Sequence, residues 1–73
     1  MENNVVQRLK DFLSAEKMSV NAFSKAIGMY QVTTNNYFIG SRKLSFELID
    51  KTLAAFPNLS AEWLLRGEGN MYK

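Results

Sequence analysis

Seventy-three residues, 47% hydrophobic and 22% charged, describe one small globular domain (1–73), near the lower size at which a core stabilises a fold unaided. The chain has neither cysteine nor histidine, which excludes disulfides, thiolate or imidazole metal sites and histidine-based acid–base chemistry, and the lack of disulfide staples suits a cytoplasmic location. Net charge is only +2, no apolar run approaches the ~20 residues that span a bilayer, and the start Met1-Glu2-Asn3-Asn4 is too polar and acidic for a secretory leader.

Taken in chain order, the punctuation predicts five helices and no strand, an all-α fold. The first runs from about 4 to 16: Val5, Leu9 and Phe12, flanked by Val6 and Leu13, recur at helical spacing, with Asn4 as N-cap. The second, about 19–27, starts at Met18-Ser19 and stops at Gly28. The third, about 31–39, is closed by Gly40 but begins weakly. Tyr30 is a poor N-cap, and Thr33, Thr34, Asn35 and Asn36 have mediocre helix propensity. Packing against neighbours must hold so short a helix. The fourth, about 45–56, follows Leu44-Ser45 and ends at Pro57; the fifth, about 60–66, follows Leu59-Ser60 and ends at Gly67.

Ser19, Ser45 and Ser60 thus share one start signal, a serine N-cap preceded by an apolar residue that can pack on the fourth helical position. The pairs are Met18 with Phe23, Leu44 with Ile49, and Leu59 with Leu64. Leu9, Phe12, Phe23, Ile27, Tyr37, Ile49, Leu53, Phe56 and Trp63 form the expected core. In the fourth helix Phe46, Ile49, Leu53 and Phe56 make one continuous stripe.

Charge is unevenly placed. No carboxylate lies between Glu16 and Glu47, a stretch that holds Lys17, Lys25, Arg42 and Lys43 and carries +4, while the rest of the chain is −2. A polyanion finds its attraction here. The same stretch contains the second and third helices, separated only by Gly28-Met29-Tyr30, so they must cross steeply. Phe23, Ile27, Met29, Thr34 and Tyr37 point inward; Val32, Asn36 and Ile39 point out, with Asn35 beside them. Amides pair with adenine in the major groove, and an apolar group meets the thymine methyl.

At Phe23-Ser24-Lys25-Ala26-Ile27-Gly28-Met29, then Gln31, Thr33, Asn36-Tyr37 and Gly40-Ser41-Arg42-Lys43, the chain resembles the phage-repressor/Cro type of helix-turn-helix, the XRE-like family. The tail, Ala55-Phe56-Pro57-Asn58-Leu59, Glu62-Trp63-Leu64-Leu65 and Gly67 to Lys73, is similar to one bacterial branch of it, so the resemblance covers residues 5–73. It implies a compact five-helix repressor-type domain in which the second helix lies across the DNA backbone and the third enters the major groove. The loop after the third touches phosphate. The chain departs from the family pattern at Ser24 (usually Ala), Tyr30 (usually a small polar cap), Thr34 (usually Val or Ile) and Ile39 (often Asn). A bond from the Thr34 hydroxyl to the Tyr30 carbonyl, one turn back, reconciles the third of these; Ile39 removes a possible phosphate contact.

The resulting reading is a bacterial or phage transcriptional regulator, repressor-like, cytoplasmic and nucleoid-associated, that binds a double-stranded DNA operator as a homodimer. It needs no cofactor and no metal, shows no evident small-molecule ligand, touches no membrane and is not an enzyme. Gln31, Val32, Asn35 and Asn36 read bases; Ser19, Asn21, Tyr30, Ser41, Arg42 and Lys43 contact phosphates. The apolar surplus at Leu65, Met71 and Tyr72 is the candidate dimer interface. The alternative is a protein-interaction module, antitoxin- or adaptor-like, working through the Trp63–Tyr72 surface. The acid-free stretch argues against it, since a protein-binding domain has no need to exclude carboxylates there.

Overall fold

Serine hydroxyls set where three of the helices begin. In the computed structural model, which describes residues 5–73, Ser19 Oγ accepts the Ala22 N–H at 3.1 Å, Ser45 Oγ that of Leu48 at 3.3 Å, and Ser60 Oγ that of Trp63 at 3.3 Å. Each satisfies one of the free donors of a first turn. The helices are α1 (Val5–Ala15), α2 (Val20–Ile27), α3 (Gln31–Ile39), α4 (Phe46–Ala55) and α5 (Ala61–Arg66). No strand forms among the described residues; one isolated antiparallel bridge joins Leu59 to Tyr72. The cap expected at Asn4 lies outside the described residues.

The helices stop by different means. Gly28 ends α2 in the left-handed region at φ 75°, which a residue without Cβ occupies freely, and its N–H turns back to Lys25 O. At the end of α1 the left-handed position falls instead on Lys17, at φ 55°, while Met18 N–H bonds Leu13 O at 2.9 Å. No glycine marks that turn in the sequence.

The core gathers Val5, Leu9, Phe12 and Leu13 of α1, Phe23 and Ile27 of α2, Tyr37 and Phe38 of α3, Leu48 and Ile49 of α4, with Leu59 and Leu64. A chain of aromatic rings runs through it. Phe23 meets Phe38 edge-on at 5.9 Å and stacks on Phe56 at 6.0 Å; Phe56 meets Phe12 at 5.0 Å, and Phe12 meets Tyr72 at 6.2 Å. Of the nine expected core residues six are buried, while Leu53, Phe56 and Trp63 are half-buried against the cluster. None is exposed.

The stripe drawn on α4 needs correction. Phe46 is 81% exposed, and the fully buried line on this helix is Leu48 with Thr52, one turn apart, beside Ile49. Phe46 is the first residue after the Ser45 cap. Two residues before Leu48 puts it about 200° round the helix, on the side away from the core.

Three serine and threonine side chains are buried, and the hydroxyl of each bonds its own helix. Ser24 Oγ donates to Val20 O at 2.7 Å, Thr34 Oγ1 to Tyr30 O at 3.2 Å, and Thr52 Oγ1 to Leu48 O at 2.7 Å. The Thr34 bond is the one expected from sequence. It lets a polar residue occupy an apolar position without an unpaired group.

Candidate nucleic-acid interface

Helix α3 is assembled by its neighbours rather than by its own sequence. Its N-cap, Tyr30, makes no side-chain cap bond and no acidic residue sits in its first turn. Thr34, Tyr37 and Phe38 anchor it: Thr34 is fully buried, Phe38 packs on Phe23, and the Tyr37 hydroxyl pairs with Ser45 Oγ at 2.9 Å. That last bond ties α3 to the cap of α4. Phe38 was not among the residues read as inward-facing; it stands next to Tyr37 and widens the buried face.

The opposite face is open. Gln31 and Asn35 are exposed, Val32 is 74% and Ile39 63% exposed, and Tyr30 at the helix start is 85% exposed. Val32, Asn35 and Ile39 stand at spacings of three and four and form the outer ridge. Asn36, expected on this ridge, is half-buried at its flank. Its carbonyl accepts the N–H groups of Ser41 at 3.0 Å and Arg42 at 3.2 Å, which folds the following loop back onto α3.

Ser41, Arg42 and Lys43 are exposed on that loop, with the Arg42 guanidinium 5.7 Å from the centre of the Tyr37 ring. At the start of α2, Ser19 and Asn21 are exposed, and Ser19 Oγ is already engaged in capping. The base-facing and phosphate-facing candidates therefore lie on α3, on the residues just before and after it, and on the start of α2. Sequence reading missed Glu47 and Lys51 of α4, which share a surface groove with Tyr30, Thr33 and Arg42. Their only signal was the i, i+4 spacing, because Lys51 lies beyond the acid-free stretch.

The residues proposed for a dimer contact lie in α5 and the tail and differ among themselves. Leu65 is 42% and Tyr72 40% exposed, whereas Met71 packs on the core. The tail is fastened: Ser60 N–H donates to Met71 O and Lys73 N–H to Asn58 O, both at 2.8 Å, and the Tyr72 hydroxyl donates to Glu16 Oε2 at 2.5 Å. That hydrogen bond, then burial and the adjacent carboxylate charge, raise the Tyr72 pKa above the usual tyrosine value. Among the described residues no helix is long and apolar enough to cross a membrane. No family model matches the chain, and neither a curated protein nor a solved structure matches it.

Proposed function

We propose that this chain binds double-stranded DNA in a sequence-specific manner as a repressor-like regulator, with α2 and α3 as its helix-turn-helix and α3 in the major groove. The observation that carries the reading is the outer face of α3. A helix anchored by three buried side chains presents amides next to two exposed aliphatic residues, in the middle of thirty residues without a carboxylate. Water gives no reason to expose Val32 and Ile39 beside Gln31 and Asn35. A major groove does, since amides fit adenine and methyl groups fit thymine. Because α3 contains no Arg or Lys, its preferred half-site is read mainly through A·T pairs.

Gln31, Val32, Asn35 and Asn36 read bases in this account, and Ser19, Asn21, Tyr30, Ser41, Arg42 and Lys43 hold the backbone. One α3 covers few base pairs, so two copies bind half-sites about one DNA turn (~34 Å) apart, with Leu65 and Tyr72 as the apolar contact between them. The protein-interaction reading draws less support, because Trp63 and Met71 are half-buried against the core. The test is selection of bound duplexes from a random pool at low salt, followed by titration of the winner and of a scrambled control. Enrichment of an A·T-rich half-site is the expected result. Failure to retain any duplex at low salt would end the reading.

A further inference from the structure

Between the turn that joins α2 to α3 and the flank of α4 runs an open groove of about 300 Å³. Gly28, Met29, Tyr30 and Thr33 line it from the turn and α3, Glu47 and Lys51 from α4, and Arg42 from the loop between them. Nothing stands within 4 Å of where a Cβ on Gly28 would be, so that side is unobstructed.

Two cations line this groove without a carboxylate partner. Glu47 precedes Lys51 by four residues, the orientation in which a helical Glu–Lys pair attracts, yet the one ion pair among the described residues is Glu62 with Arg66 at 3.6 Å. Lys51 is therefore unpaired. Arg42 is unpaired as well and is held in place by the Tyr37 ring. Lys51 is also half-buried and lines the groove, as a lysine can when its methylene stem packs on protein and its ammonium stays solvated.

We infer that this groove seats one backbone phosphate of the duplex, with Lys51 and Arg42 as its cations and the Thr33 and Tyr30 hydroxyls as further donors. The inference rests on the DNA-binding reading and adds a contact from α4 to it. Glu47 lines the same groove and opposes the phosphate. A lone small anion is thus held poorly, while a duplex already docked on α3 supplies its phosphate at high effective concentration. Glu47 acts as a brake on affinity that is independent of base sequence.

The experiment titrates the wild type and the Lys51→Ala, Lys51→Arg, Glu47→Gln and Arg42→Ala variants against the selected duplex and a scrambled one over a range of salt. Lys51→Ala should weaken both duplexes alike and lower the slope of log K against log salt by ~0.9, the share of one phosphate contact. Lys51→Arg should restore the slope. Glu47→Gln should tighten both duplexes by roughly two- to five-fold, as expected for removing one exposed repulsion. If Lys51→Ala leaves the slope unchanged while Arg42→Ala lowers it, the α4 seat is wrong and DNA binding stands. If the wild type binds neither duplex, both fall. In a separate arm inorganic phosphate alone is added to the free protein; saturable shifts of the Lys51 and Thr33 resonances at millimolar phosphate would mark a free-anion site and overturn the backbone assignment.

Discussion

The two ends of this molecule treat their polar and apolar groups in opposite ways. Where α1, α5 and the tail meet, side chains and backbone find partners inside the chain: Arg8 Nε donates to Leu64 O at 2.8 Å, Tyr72 to Glu16, and Ser60 and Lys73 N–H groups to the tail and the loop before α5. Around α3 the pattern reverses. Tyr30, Val32, Ile39 and Phe46 are each more than 60% exposed, Arg42 and Lys51 have no carboxylate partner, and the helix lacks a side-chain cap. The first region is fastened by bonds within the chain; the second keeps large apolar groups and cations exposed. An edge-to-face and stacked series of rings, with Phe23 and Phe56 at its middle, joins the two.

The largest effect expected is at that junction. Phe23→Ala should cost ~3–5 kcal/mol, a large part of the ~5–15 kcal/mol that holds a typical domain together. Urea unfolding followed by Trp63 fluorescence, near the closed end, and by helical circular dichroism should show one shared and lowered midpoint. Two separated transitions would mean that the ends are independent. Within the open end, Asn36→Ala should lose ~1–3 kcal/mol against the preferred duplex and little against random DNA. Arg42→Ala should weaken both and reduce the salt slope by about one charge equivalent. Equal losses on both duplexes for Asn36→Ala would make α3 a backbone contact and undo the division of roles.

Smaller effects probe the closed end. Tyr72 has a raised pKa in the folded chain, so its bond to Glu16 contributes in full below the unfolded value of about 10 and is lost as pH climbs through the folded one. Melting temperatures of the wild type and Tyr72→Phe should therefore converge at alkaline pH; curves that stay parallel would show that the bond contributes nothing. The smallest effect returns to the open end: Phe46→Ala should change stability by no more than ~0.5 kcal/mol, since the ring is 81% exposed. A larger loss in thermal melts would return Phe46 to the core.

What the sequence made legible was local. Serine caps, the left-handed Gly28 and the Thr34 bond to Tyr30 involve groups within four residues of each other, and residue type alone restricts them. Helix phase was harder. Both Phe46-Ile49-Leu53-Phe56 and Leu48-Ile49-Thr52 are helical stripes, and only the position of α2 and α1 decides between them; a threonine on the second stripe hid it. The half-burial of Asn36 likewise depends on another part of the chain, since the Ser41–Arg42 loop folds back onto that end of α3. The Tyr72–Glu16 bond and the groove shared by Thr33, Arg42 and Lys51 join distant parts of the chain. No spacing rule announces such meetings.

The buried hydroxyls of Ser24, Thr34 and Thr52 each answer to a carbonyl one turn back on their own helix. None of them links one helix to another, so none determines how the helices are arranged. Replacing such a self-satisfied hydroxyl with a methyl of similar shape removes donor and need together, a change that is close to neutral in free energy. Ser24→Ala and Thr34→Val should therefore change the polarity of these positions while leaving the helix arrangement as it is.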